Sequence, residues 1–345
     1  DVLANSYIDL NPSYDESQNA YPIRISVKEG TDMTSLAPIF ELTPGATISP
    51  ASGSVQNFTT PVRYTVTSED KAWHRVYAIT AREQKASNIP TTYHFEKVRI
   101  MQNVWQEFYE EQDSGNELTW ASGNKGFKWA MSEAATEDYP TTQIDNGKTG
   151  KCVKLETRLT GDLGNMVGMP IAAGNLFIGS FDMLNAITNP LSATRFGTPF
   201  YNKPLRLTGY YKYKAGEQFY ENGEYTSRKD IFNIYAIFYD GVKYDSAGKG
   251  TDVTLDGNLP NQNYEHSSMV ALALVSNPQE TEGDEWKFFD IPFDYQRYGK
   301  KIDEARLAKG EYKIGIIFAS SKDGATFEGA PGSTLLIDEV ELIYE

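Results

Sequence analysis

The stretch Leu205-Arg206-Leu207-Thr208-Gly209-Tyr210-Tyr211-Lys212-Tyr213-Lys214 alternates between two faces. Successive side chains of a strand point to opposite sides. Tyr211 and Tyr213 therefore share one face and Tyr210 takes the other. The same kind of segment recurs on either side. Ile231–Tyr239, Met269–Val275, Trp286–Ile291, Tyr312–Ala319 and Thr334–Tyr344 all read as strands. Only Lys300–Lys309 looks helical, and it is brief. From Tyr93 to Glu345 no second break is visible, and a region of this size with many strands fits a jelly-roll β-sandwich as one domain.

Towards the N-terminus, Ile23–Val27, Pro38–Leu42, Pro61–Thr67 and Trp73–Ile79 read as short strands separated by turn residues. This predicts a small sandwich over residues 1–85, with Phe58, Tyr64 and Trp73 in its core. Arg82–Thr92 is polar and contains Pro90, which makes it the linker candidate. The expected division is 1–85, a linker at 86–92, and 93–345.

Composition supports the all-β reading. The 345 residues include 22 Tyr and 17 Phe, which favour strands, and 28 Gly and 16 Pro, which favour turns. Asp and Glu outnumber Lys and Arg by 47 to 32, a net charge of −15. That sign argues against nucleic acid and anionic membrane surfaces and fits a neutral partner. A single cysteine, Cys152, excludes an intrachain disulfide framework and a cysteine-based zinc site. No apolar run is long enough for a transmembrane helix. No signal peptide is present and the chain opens on Asp1, as expected for a cytosolic or a processed protein. Phosphate-loop, nucleophile-elbow and zincin motifs are absent.

Three kinds of chemistry remain open. Glycoside hydrolysis uses paired carboxylates, for which Glu133, Glu156, Asp182, Glu217 and Asp290 are candidates beside aromatic or Gly-rich segments. A calcium site needs several oxygens. Glu96 lies in Tyr93-His94-Phe95-Glu96, the first strand after the linker, and Asp338 lies in the last, and such strands often adjoin in sandwiches. Sugar binding needs flat apolar faces with polar groups beside them. Tyr211, Tyr213 and Trp129 are the candidate platforms, with Asn124, Lys128, Asp182 and Arg195 as polar contacts.

Four further segments carry a resemblance. Ala319–Leu335 (ASSKDGATFEGAPGSTL), Trp120–Gly126 (WASGNKG), Ala173–Phe181 (AGNLFIGSF) and Gly197–Phe200 through Lys203–Tyr213 resemble the putative carbohydrate metabolism domain family of Bacteroidetes. Leu42–Pro50 and Tyr64–Asp70 resemble the Ig-like spacer domains of Bacteroidetes surface proteins. The resemblance implies an all-β chain with an Ig-like β-sandwich followed by a jelly-roll similar to carbohydrate-binding modules. Those modules often hold a structural Ca²⁺ between a Phe-Glu near the first strand and an Asp in the last, which Phe95-Glu96 and Asp338 match. No organic cofactor and no catalytic residue are implied.

The expectation is therefore a monomeric glycan-binding lipoprotein of the cell envelope, displayed on the outer membrane through a lipidated cysteine upstream of Asp1. Its partner would be a carbohydrate, with no nucleic acid and no membrane insertion of this chain. A glycoside hydrolase or lyase and a structural or adhesive surface protein are the alternatives.

Overall fold

A computed structural model describes residues 12–84, 86–112 and 115–345. Asp1–Asn11 of the expected first domain and Lys85 of the expected linker region lie outside the described residues. The chain divides into two compact units, Asp1–Ala86 with Ile343–Glu345, and Ser87–Leu342. Among the described residues no helix is long and apolar enough to cross a membrane.

The first unit contains strands β1 (Tyr21–Lys28), β2 (Thr47–Ser49), β3 (Val62–Thr67) and β4 (His74–Gln84). They form one sheet in the order β1-β4-β3-β2. β1 pairs with β4 in parallel, and the other neighbours are antiparallel. Phe58 and Tyr64 are buried in its core, with Ile25, Ile79 and Ala81, and Met33, Leu36 and Phe40 cover them. Two expectations fail here. Trp73 is 77% exposed, because it precedes β4 in a turn. Pro38–Leu42 forms no strand. It is held instead by Ser52, whose Oγ accepts the Phe40 amide at 2.8 Å. β4 also runs through the start of the polar 82–92 segment, since Arg82–Gln84 continue the pairing with Ser26–Lys28.

The second unit is a jelly-roll of two main sheets. The strands of these two sheets are β5 (Thr92–Tyr93), β6 (Thr141–Asp145), β7 (Lys151–Glu156), β8 (Asn175–Phe177), β9 (Thr198–Pro199), β10 (Pro204–Lys214), β11 (Asn233–Asp240), β12 (Met269–Leu274), β13 (Lys287–Pro292), β14 (Tyr312–Ala319) and β15 (Thr334–Tyr344). One sheet has the order β13-β10-β15-β7-β6, with β5 also on β15. The other has the order β8-β14-β11-β12, with β9 also on β14. The six long strands read from the sequence are all present, to within two residues at each end.

β11 and β14 are apolar on both faces, as strands covered on both sides must be. Ile234, Ala236, Phe238, Ile314, Ile316 and Phe318 share one face and are buried. Phe318 meets the rings of Trp120 and Phe95 there, with centroids 5.9 and 6.4 Å away. The opposite face is covered by the chain between β8 and β12, which supplies Phe196, Leu255, Leu259 and Tyr264 to a second cluster. Within it, the segment Asp240–Asn263 holds a hairpin between Val242–Tyr244 and Gly250–Asp252.

Three short helices were not legible in the sequence. They are α1 (Asn124–Ala130), α2 (Gly161–Met166) and α3 (Met183–Thr188). None is long enough to show a helical period, and α1 and α2 contain glycine. The expected helix at Lys300–Lys309 shortens to the single turn Glu304–Leu307, capped by Asp303.

Candidate functional site

The outer face of the second sheet forms a floor in two rows. Register places Asn175, Ala319 and Asn233 side by side, then Phe177, Ile317 and Tyr235. The three short helices stand around this floor and enclose a pocket of about 170 Å³. α1 contributes Phe127, Trp129 and Ala130, and α3 contributes Met183 and Ala186. Thr160, Gly164 and Val167 come from α2 and its flanks, and Phe181, Thr194 and Phe196 from the segment around α3.

Each wall is fixed by local hydrogen bonds. The Asn175 carboxamide oxygen accepts the Gly123 amide at 2.7 Å and ties the start of α1 to the sheet edge. Asn124 is buried and bonds both backbone groups of Thr141, at 2.7 and 3.1 Å. Asp182 caps α3 by accepting the amides of Leu184 and Asn185. Gly164 lets α2 approach its own flanks, since a Cβ there would lie 2.7 Å from the Met169 carbonyl oxygen.

The lining contains no Asp or Glu. Its polar side chains are mostly committed. Thr160 donates to the Met169 carbonyl, Asn233 donates to the Tyr264 hydroxyl at 2.9 Å, and Ser321 donates to Asp230 at 2.6 Å. Thr194 Oγ1 is buried without a partner among the described residues. Lys322, exposed at the rim, is the lining cation.

Of the sugar-contact residues expected from sequence, the structure places Trp129 at this pocket, 39% exposed. Tyr211 and Tyr213 are not platforms. Both are core residues, packed on Phe232 with centroids 4.8 and 4.9 Å away. Strand alternation shows that two residues share a face but not whether that face is inside. Asn124 is a buried structural anchor. Lys128 closes the end of α1 by donating to the Ser132 carbonyl at 2.8 Å, and Asp182 is spent as a helix cap. Arg195 points away from the pocket, because its neighbours Thr194 and Phe196 line it and strand residues alternate. The sequence reading missed Thr194, Phe127, Phe181 and Lys322; the Phe127-Lys128-Trp129 run beside the Gly-rich 123–126 segment was the one available signal.

The expected catalytic carboxylates are not brought together at the pocket. Asp290 is paired with Arg206 at 2.6 Å, and Glu133 and Glu217 are exposed. Glu156 lines a separate cleft with Asp138. Arg158 stands between these two, with Nε 3.1 Å from Glu156 and Nη1 3.9 Å from Asp138, in ion-pair range. The carboxyls that burial pushes above the ordinary range are Glu107, Glu110, Asp230, Asp338 and Glu341. None of them lines the pocket.

Glu96 and Asp338 do converge. β5 pairs with β15 through Tyr93 and Val340, and both acids reach the turn Asn146–Gly150 between β6 and β7. Asp338 accepts the Thr149 amide at 3.0 Å, and Glu96 accepts the Lys151 amide at 2.7 Å. Glycine is required on the turn. A Cβ on Gly147 would lie 2.7 Å from Asp338 Oδ2, and one on Gly150 would overlap Glu96 Oε1. The residues beside the acids, Phe95 and Glu339, both have left-handed backbones, with φ of 55° and 48°. Such conformations cost on the order of 1 kcal/mol or more each for non-glycine residues. Burial raises the Asp338 carboxyl to about 6 and pushes the Cys152 thiol beneath it up to about 12. Carboxylates are hard oxygen donors of the kind Ca²⁺ takes, and here both accept backbone amides of the glycine turn. Among the described residues, no group of three or more His, Cys, Asp or Glu side chains that could hold a metal ion is present, here or elsewhere.

The fold and pocket define a class: a two-unit all-β chain whose larger jelly-roll carries an aromatic-lined pocket. Residues 94–343 match the family described as "putative carbohydrate metabolism domain", and the chain belongs to that family. Residues 9–81 match the SGBP N-terminal domain. A crystal structure from Bacteroides vulgatus ATCC 8482, described as a putative glycoside hydrolase, is 50% identical with a TM-score of 0.69; the match covers 75% of this chain and 100% of that one. A second, from Bacteroides thetaiotaomicron VPI-5482 and described in the same words, is 44% identical with a TM-score of 0.67, covering 100% of this chain and 94% of that one. No curated protein matches.

Proposed function

We propose that this chain is a surface glycan-binding protein of a Bacteroidetes cell, and that it binds carbohydrate without cleaving it. The observation that carries the reading is the composition of the pocket: aromatic, with Trp129 at its mouth, and free of carboxylates. Retaining and inverting glycosidases canonically need two carboxyl groups across the scissile bond. The family match supports a carbohydrate partner, and the SGBP N-terminal match supports a cell-surface location. We place the protein in the outer membrane as a monomeric lipoprotein, with the first unit as spacer and the second as binder. Trp129 offers the flat apolar face on which a sugar ring stacks.

Glu96 and Asp338 would hold a structural Ca²⁺ with backbone carbonyls of the 146–151 turn. The ion would neutralise the Asp338 carboxylate and fix the β6–β7 turn to the last strand.

The hydrolase reading draws on the description of the two crystal structures. A glycan array with the purified protein, run with calcium and then with chelator, separates the readings. Retention of a defined glycan without product supports binding. Release of reducing ends from the bound glycan overturns it in favour of hydrolysis. Silence across host, plant and microbial glycans overturns it in favour of a structural or adhesive role.

A further inference from the structure

The inner part of the pocket is built for something other than a sugar ring. The volume of the whole pocket, about 170 Å³, is near the roughly 150 Å³ of an engineered apolar cavity that stays dry and binds benzene. Phe177, Ile317 and Tyr235 form the floor, and Phe127 and Phe181 stand as walls. A pyranose buried here would bring several hydroxyls. The lining offers few uncommitted hydroxyls among the described residues: Thr194 Oγ1 is buried without a partner, and the phenol of the floor residue Tyr235 makes no hydrogen bond. Each hydroxyl left unmet weakens binding, whereas an aromatic ring leaves none unmet and gains from edge-to-face contacts with the lining rings. Apolar surface continues outside the cavity. Val167 and Trp129 line the mouth while partly exposed, and Met166 on α2 is 82% exposed.

We propose that this pocket takes a single aromatic ring bearing one oxygen, carried as the aryl substituent of a glycan. The ring lies on the Phe177–Ile317–Tyr235 row, its oxygen meets the Thr194 hydroxyl, and the attached sugar emerges beside Trp129. The assignment rests on the glycan-binding reading only for the identity of what carries the ring.

Benzyl alcohol, toluene, phenyl β-D-glucopyranoside and methyl β-D-glucopyranoside are the probes, titrated against the full chain by ligand-observed NMR and calorimetry. Benzyl alcohol and the phenyl glycoside are expected to bind and compete with each other, while the methyl glycoside displaces neither. Ala186→Phe on α3 fills the pocket and should weaken the aryl probes about tenfold or more, the worth of burying one ring. Ala130→Leu on α1 is a second filler should the first fail to fold, as its melting curve will show. Thr194→Val should weaken benzyl alcohol about fivefold, the worth of one hydrogen bond, and leave toluene unchanged.

No binding of either aromatic probe, or unchanged binding by a folded filler variant, overturns the assignment. So does displacement of benzyl alcohol by the methyl glycoside, which would make the pocket a sugar site. If glycan arrays are silent but benzyl alcohol binds and the fillers abolish it, the glycan reading falls and the aromatic pocket stands. If glycans bind and both fillers leave them and the aromatic probes unaffected, the reverse holds.

Discussion

The two faces of the β8-β14-β11-β12 sheet are made from the same strands and end differently. On the inner face, Ile234, Ala236, Phe238, Ile316 and Phe318 are closed off completely. On the outer face, Tyr235 and Ile317 lie under short helices and turns, and a pocket remains. Within a jelly-roll, long strands offer a continuous surface that packs to crystal-like density. Helices of six or seven residues touch at a few points and meet at angles, so space is left between them. The pocket arises where the covering layer is discontinuous.

That contrast can be broken by substitution. Phe318→Ala removes a ring fully enclosed by Trp120 and Phe95, and should cost about 3–5 kcal/mol in denaturant unfolding. A much smaller loss would mean that the inner face is not tightly packed. Removing calcium comes next. With the ion at about a hundred times its Kd, chelation should cost the second unit about 2.7 kcal/mol, and Asp338→Asn should abolish the response. A melting curve indifferent to chelator would sink the Glu96/Asp338 site. On the outer face, Phe181→Ala opens a wall that is already half-buried beside empty space, and about 1–2 kcal/mol is expected. A cost equal to that of Phe318→Ala would erase the difference between the faces.

The two faces share an end, and there a pH measurement sharpens the comparison. Asp230, just before β11, is buried and accepts from Ser321, Ser333 and the Ala330 amide at 2.6–2.8 Å. Burial raises its carboxyl above the ordinary value despite those donors. The folded state therefore keeps this proton to higher pH than the unfolded chain does. Its stabilising effect is complete below the unfolded value near 3.8 and is lost as pH rises through the folded one. The stability of the wild type relative to Asp230→Asn should accordingly decline with rising pH; a flat difference would show an unperturbed carboxyl. The smallest structural effect belongs to Trp129→Ala. Stability should change by no more than about 0.5 kcal/mol, while glycan affinity should fall about fivefold to tenfold with the loss of stacking. Unchanged affinity would remove Trp129 from the site.

Much of this protein was legible in one dimension. Period-two alternation located β10 and β15, and the dense apolar run of Ile231–Tyr239 located β11, because strand burial writes itself directly into residue order. The convergence of Glu96 and Asp338 followed from the pairing of a first strand with a last. Alternation cannot say which face is interior, however. That is why Tyr211 and Tyr213, equally good as platforms or as core, became core, and why Thr194 rather than its neighbour Arg195 faces the pocket.

The sequence by itself determined an all-β chain, an acidic surface unsuited to phosphates, and the absence of a disulfide framework, since these depend on composition and local period. Only the tertiary structure decided where the pocket lies and what lines it. The pocket is assembled from α1, α2, α3 and three strands that are distant in the chain, and helices this short are specified by caps and contacts such as Asn175 to Gly123 rather than by any pattern of their own.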